Sequence, residues 1–238
     1  MSTIFLVESA AMGQVRRDVA GIGALADPVR FELYRFVCAQ SGPVSRDQAA
    51  DALHIARHQA KFHLDRLEAE GLLECEYARL TGRTGPGAGR TSKLYRRTAR
   101  EITVSFPQRQ YELSSRLMAE AIVQSTETGE PAGEVLKRIA YDYGRVIAEG
   151  AQADGRPALE VAARLLSECG YEPRQVADEL YMVNCPFRAL AQEQTDLACG
   201  MNLALITGIT DALTPHSPKP RLRPQPERCC VVLASTSN

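Results

Sequence analysis

The sequence predicts a mainly helical α+β chain in two parts, and three stretches carry that expectation. Ser45 to Leu73 (SRDQAADALHIARHQAKFHLDRLEAEGLL) reads as two helices joined by a tight corner at His54 and Ile55. Leu72–Ala78 and Ser92–Arg97 read as strands flanking a Gly-rich basic loop, Arg79 to Thr91. From Tyr171 to Ala234 short β-prone runs alternate with helical ones. A helical pair followed by a hairpin with a long cationic tip is the pattern of a winged helix-turn-helix. The expected layout is that domain over residues 14–100, a linker and dimerisation helix over 101–128, and a C-terminal α+β sensor domain over 129–238.

Taken in order, Met1 to Gly13 is expected to be a loose arm and Gln14 to Leu25 a short helix. Asp27 then stands as N-cap with Pro28 at the first helical position. That helix runs to about Ala39 and turns Val29, Leu33, Phe36 and Val37 inward, with Phe31 and Tyr34 adding to its core. Ser41-Gly42-Pro43 breaks it. Ser45 and Gln48 form a capping-box pattern, so the next helix starts there, with Ala49, Ala50 and Leu53 on its apolar face. The second helix of the pair runs from about Ala56 to Glu70, buries Ala60, Leu64 and Leu67, and ends at Gly71 as a C′ glycine. His63, beside Leu64, is expected as a packed, hydrogen-bonded histidine.

The other face of that second helix carries Arg57, His58, Gln59, Lys61 and Arg66. Arg and Lys reach guanine acceptors or phosphates, and Gln pairs with adenine, so this face suits the major groove of double-stranded DNA. An ordinary helical hairpin with a solvated charged face would look the same in isolation; the basic hairpin after it favours nucleic acid. Arg79, Arg83, Arg90 and Lys93 would touch phosphates or the minor groove. The Gly-rich loop has no GxxxxGK[ST] pattern and lies within a hairpin rather than between strand and helix, which argues against nucleotide binding.

Beyond the wing, Glu101 to Ser105 is a connector, and Phe106-Pro107 is expected to open a helix to about Thr126. Leu113, Leu117, Met118, Ala121 and Ile122 lie along one side of it. Operator half-sites call for a two-fold protein, so this helix is expected to pair two subunits, the alternative being that it packs on its own domain. Gly129 to Gly133 is a turn, and Glu134 to Ala148 is an amphipathic helix. Leu159 to Cys169 is a helix capped by Gly170, and Tyr171 to Asn184 is a strand pair turning near Ala177-Asp178. Arg188–Gln194 and Leu197–Leu213 are helices; Thr214 to Pro226, with five prolines, is a loop; Arg228 to Ala234 is a final strand.

The 238 residues carry a net charge of −1, so overall charge does not drive nucleic-acid binding. The charge is uneven, however: Arg79 to Arg100 holds only basic charges. No apolar run reaches membrane-spanning length, and the N-terminus lacks the order of a signal peptide, so the chain is expected to be cytoplasmic, with no membrane partner. In that compartment seven cysteines are not expected to form structural disulfides. Cys38, Cys75 and Cys169 read as core residues. Cys185, Cys199, Cys229 and Cys230 fall at the ends of separate elements, where thiolates can face one centre. Strand alternation would let only one of Cys229 and Cys230 face it. Three thiolates suit an iron–sulfur cluster or zinc, while the wide spacings without CxxC leave buried free thiols and a thiol-redox site open. No Ser-His-Asp order, HExxH or nucleotide motif is present, so no catalysis is expected. A small-ligand or enzymatic domain fused to the winged helix would need a polar cluster in a cavity.

ADPVRFELYRFV, SRDQAADALHIARHQAKFHLDRLEAEGLLE and GAGRTSKLYR resemble the ArsR-like winged-helix transcriptional regulators. NCPF at Asn184–Phe187, ACGMN at Ala198–Asn202 and CCVVL at Cys229–Leu233 resemble its SufR-like iron–sulfur-binding subgroup. The resemblance spans about residues 20 to 234. It implies a homodimeric, operator-binding repressor. It also implies a cluster, [4Fe-4S] by that likeness, held by Cys185, Cys199 and one of Cys229 or Cys230, with Cys229 preferred. Zinc at the same cysteines is the alternative. One departure is Ala56, where Ser or Thr is the usual N-cap, at a local cost of about 1 kcal/mol. No fourth cluster ligand is identifiable from the resemblance.

Overall fold

The computed structural model describes residues 3–78, 91–149, 156–213, 218–225 and 227–234, the stretch 3–12 as backbone only. The chain divides into two compact units, Met1–Val104 and Ser105–Asn238.

The first unit runs α1 (Thr3–Ala24), α2 (Pro28–Cys38), β1 (Val44–Ser45), α3 (Arg46–Leu53), α4 (Arg57–Ala69), β2 (Leu73–Ala78) and β3 (Ser92–Arg97). The local signals act as their chemistry dictates. Asp27 Oδ1 accepts the Arg30 N–H at 3.0 Å and caps α2. Ser45 and Gln48 close a reciprocal capping box at α3. His54 takes a left-handed φ of 54° at the corner, and Gly71 takes 73° after α4. Leu33, Val37, Ala49, Leu64, Leu67, Leu73 and Tyr95 fill the core. The sheet order is β1-β3-β2, fully antiparallel, with β2 paired to β3 from Leu73–Arg97 to Ala78–Ser92.

Two expectations fail here. The expected loose arm is the first half of α1: Thr3–Ala24 has no proline, and Gly13, Gly21 and Gly23 weaken the helix without ending it. Phe31 is exposed and sits under the Arg35 guanidinium, 5.9 Å from its ring centre. It lies two residues from Leu33, so the helical period turns it to the opposite side.

The second unit runs α5 (Tyr111–Thr128), α6 (Ala132–Glu149), α7 (Ala158–Glu168), β4 (Pro173–Val176), β5 (Glu179–Met182), α8 (Arg188–Glu193), α9 (Thr195–Asp211), β6 (Lys219–Leu222) and β7 (Val231–Ala234). Its antiparallel sheet has the order β4-β5-β7-β6. Helices α6 and α9 form the closest helix pair of the unit. A methyl group on Gly144 would collide with the Leu205 carbonyl, and one on Gly208 with the Tyr141 carbonyl. The two glycines therefore set the approach, and Val135, Ile139, Leu205, Ile206 and Ile209 close the core around them.

Three boundaries move. Helix α5 begins at Tyr111 rather than Phe106: Gln110 is its N-cap, donating its N–H to the Pro186 carbonyl while its own carbonyl accepts the first helical bond from the Ser114 N–H. The proline-rich stretch contains β6; as the sheet edge, it tolerates Pro220. Strand β7 begins at Val231, so Cys229 and Cys230 precede it. Among the described residues no helix is long and apolar enough to cross a membrane.

Candidate nucleic-acid interface and thiol site

Helix α4 packs Ala60, His63, Leu64 and Leu67 inward, and this fixes what points out. Arg57, His58, Lys61 and Arg66 are exposed, while Gln59 is half-buried at the edge of the same face. Ala56 caps α4 with extended backbone and no side-chain hydrogen bond, as the missing Ser or Thr implies. The exposed cations are held by surface ion pairs. Arg57 faces Asp47 at 3.5 Å, Lys61 faces Asp65 at 3.0 Å, and Arg66 faces Glu70 at 2.6 Å. Such pairs contribute little in water, so a phosphate can replace the carboxylate at small cost.

Phe62 was not singled out by the sequence. It is 67 % exposed on the outward face, between Lys61 and the cations around it. An apolar group there can meet a thymine methyl. Its place four residues after His58 was the available signal. His63 is buried as expected, but its Nδ1 has no hydrogen-bond partner among the described residues.

Lys93 lies on β3, half-buried, with its ammonium between Asp65 at 2.8 Å and Glu68. The Tyr95 hydroxyl donates to the same Asp65 carboxylate at 2.6 Å. Burial alone would raise the Asp65 pKa, but hydrogen bonds from Lys93, Tyr95 and Lys61 outweigh it and hold the pKa at about 2. Asp65 thus clamps the reading helix to the returning wing strand. Arg79, Arg83 and Arg90 lie outside the described residues.

In the second unit Cys185, Cys199, Cys229 and Cys230 line one cavity of about 250 Å³, together with Arg188, Gln192, Thr195, Gln225 and Arg228. Both members of the vicinal pair reach it. Neither belongs to β7, so strand alternation does not apply to them. Long-range backbone bonds hold them instead: Cys229 N–H donates to the Met182 carbonyl at 3.0 Å, and Arg223 N–H donates to the Cys230 carbonyl at 2.7 Å. Cys185 follows the end of β5, and Cys199 stands in the second turn of α9. Cys199 and Cys230 also border a neighbouring cavity of about 530 Å³ lined by Lys137, Tyr141, Leu203 and Leu222.

Cys229 is the most firmly placed of the four. Asn202, itself buried on α9, donates from Nδ2 to the Cys229 sulfur at 3.2 Å. The Tyr171 hydroxyl donates to Asn202 Oδ1, which leaves the amide N–H free for the sulfur. The Cys185 thiol is pushed well up, first by its contact with Cys229 and then by burial. Cys199 is raised mainly by burial. For Cys229 the Cys185 thiol lowers the pKa, but Cys230 and burial outweigh it and carry it to about 11. Cys185, Cys199 and Cys229 therefore keep their protons at neutral pH. Among the described residues no three His, Cys, Asp or Glu side chains are arranged around a single metal ion. An iron–sulfur cluster offers a separate iron to each thiolate, so its ligands line a cavity instead of meeting at one point. Cys169 is pushed up to about 11 by burial and packs against the core.

The chain segment that enters α5 is tied to the Cys185 loop. Arg109 donates to Asn184 Oδ1 at 2.6 Å and to the Cys185 carbonyl at 2.7 Å, and Gln110 N–H donates to the Pro186 carbonyl at 3.1 Å. On α5 itself, Ser114, Leu117 and Ala121 are buried against the unit, while Ile122 is 61 % and Val123 56 % exposed.

A helix-turn-helix domain family matches residues 25–76, from just before α2 into β2. No curated protein and no solved structure matches the chain. The matched segment contains α3, α4 and the outward face of α4, and it supports a DNA-binding transcriptional regulator with a winged-helix reading head.

Proposed function

We propose that the chain is a homodimeric transcriptional regulator, a repressor in its ordinary mode, whose operator binding is set by an iron–sulfur cluster at Cys185, Cys199, Cys229 and Cys230. The observation that carries the cluster reading is the convergence of these four thiols, from three places in the sequence, on one cavity. The donor set fits such a group: soft sulfurs, with a buried amide N–H aimed at one of them. When bound, the cluster supplies a centre sensitive to oxidants and to iron supply. The chain's own residues hold it and restrict access to it. Arg188 and Arg228 at the cavity wall, set against the single carboxylate of Glu227, leave a net positive lining for the negative charge that thiolate ligation brings. Arg228 is in turn stacked over Tyr181 at 4.2 Å.

On the DNA side, Arg57, His58, Gln59, Lys61 and Arg66 present donors to base edges and phosphates, and Phe62 presents an apolar contact. The exposed Ile122 and Val123 on α5 support a two-fold interface, as paired operator half-sites require.

Iron and acid-labile sulfide analysis after anaerobic reconstitution tests the cluster. The intact chain is expected to take up both, and Cys185→Ser, Cys199→Ser and Cys229→Ser to lose most of them. Full occupancy in any of those three variants would refute the ligand set.

A further inference from the structure

Residues 108–110 stand between the helix-turn-helix unit and α5 in the chain, and they are fastened to the loop that carries Cys185. Four hydrogen bonds make the join. Arg109 donates to Asn184 Oδ1 at 2.6 Å and to the Cys185 carbonyl at 2.7 Å. Gln110 N–H donates to the Pro186 carbonyl at 3.1 Å, and Asn184 Nδ2 donates back to the Gln108 carbonyl at 3.1 Å. The buried Asn184 is itself anchored, because its Nδ2 also donates to the Gly170 carbonyl at 2.7 Å. Arg109 is the one charged member of the join, and its planar guanidinium bridges two acceptors on adjacent residues.

We infer that Arg109 is a positioning residue that couples occupancy of the thiol site to the segment leading into α5. The inference rests on the thiol-site reading above. A group bonded to the Cys185 sulfur restrains that residue's backbone, and the carbonyl of the same residue is what Arg109 holds. With the site filled, the acceptors stay in place and the join persists. With it empty, the loop 184–186 loses a restraint and the join opens more often. The two states thus differ in a contact made by the chain itself, which any coupling requires. The segment so gripped lies directly ahead of the helix with the exposed Ile122 and Val123 strip, on the route from the thiol site to the reading head along the chain.

The test uses the full chain and cadmium(II) as a probe that needs no iron chemistry. Thiolate-to-metal absorption counts cadmium bound, and amide hydrogen exchange follows residues 105–112. Cadmium is expected to slow exchange there severalfold in the wild-type chain. In Arg109→Gln it is expected to bind with the same stoichiometry but leave exchange unchanged, and Arg109→Lys should recover part of the slowing. In parallel, the ratio of operator affinities between the anaerobically reconstituted and the stripped chain should fall toward one in Arg109→Gln, at unchanged iron content. Equal slowing in wild type and Arg109→Gln would overturn the coupling, as would no slowing in a wild-type chain that has bound cadmium. A chain that takes up neither cadmium nor iron would instead refute the thiol-site reading, and the coupling with it.

Discussion

The outward face of α4 and the thiol cavity are built in opposite ways. The outward face of α4 is exposed, and its cations rest in surface ion pairs with Asp47, Asp65 and Glu70. The thiol cavity is assembled from buried groups, with Asn202 and Tyr171 fixing Cys229 and Arg109 fixing the Cys185 loop. The first arrangement keeps donors free to exchange a weak carboxylate for DNA. The second positions its sulfurs through long-range hydrogen bonds within the chain, and the Cys185 loop is the part that a bound group would restrain further. Substitutions should therefore separate stability from function on α4 and merge them around the cysteines.

The largest effect is expected at the α6–α9 crossing, in the unit that holds the thiol site. Gly144→Ala places a methyl group against the Leu205 carbonyl, where backbone meets backbone and neither yields easily. A loss of about 3 kcal/mol is expected, confined to the second unit. Denaturant unfolding followed separately by far-UV signal and by thiol accessibility measures it. An unchanged midpoint would mean that the helices slide apart readily.

Next comes the buried relay. Asn202→Leu removes the donor to Cys229 and strands the Tyr171 hydroxyl, which is fully enclosed. About 1–3 kcal/mol of stability is expected to go with it. On the proposed cluster reading, the same variant, reconstituted without oxygen, should lose iron faster in air than the wild type does. A stability change under about 0.5 kcal/mol would show the relay to be replaceable by water.

On α4 the pattern should reverse. Arg57→Ala, Lys61→Ala and Phe62→Ala are exposed substitutions, expected within about 0.5 kcal/mol of wild-type stability. Operator binding should nevertheless weaken by about 1–3 kcal/mol for a base-reading position, measured at fixed salt. Unchanged affinity in all three would remove α4 from the interface.

The smallest effect concerns pH. Asp65 has a folded pKa of about 2, below the ordinary value of 3.8, so its contribution to stability is present above about pH 4. It is lost as pH falls from about 4 through 2, when the carboxylate that joins Lys93 and Tyr95 to α4 is protonated. Asp65→Asn should flatten that part of the stability curve. An equally steep curve in the variant would place the acid sensitivity elsewhere.

How far the sequence revealed each region follows the same division. The reading helix rests on local rules: the Ser45–Gln48 box, the 3.6 period of Ala60, Leu64 and Leu67, and Gly71 at its end. All lie between Ser45 and Gly71, and each is legible within its own few residues. The thiol site is legible only in its cysteines. Its supports are partnerships across the chain: Asn202 with Cys229 at 27 residues' separation, Tyr171 with Asn202 at 31, Arg109 with Asn184 at 75. Alternation misjudged the vicinal pair for that reason, since Met182 and Arg223 hold Cys229 and Cys230 ahead of β7. The proline-rich stretch hid β6 because proline argues against a strand unless the strand is known to lie at an edge. Phe106-Pro107 misled in the other direction, a local helix signal that a tertiary hydrogen bond at Gln110 overrode, whereas an inward Phe31 conflicts with the helical period that turns it away from Leu33.

The central proposal is that the thiol site governs the reading head. Operator affinity of one preparation, measured without oxygen and at one salt concentration before and after the cluster is removed, tests it most directly. A change of about fivefold or more is expected, the scale of an ordinary coupling between two sites. Equal affinity in the two states, with iron and sulfide confirmed in the first and absent from the second, would contradict it.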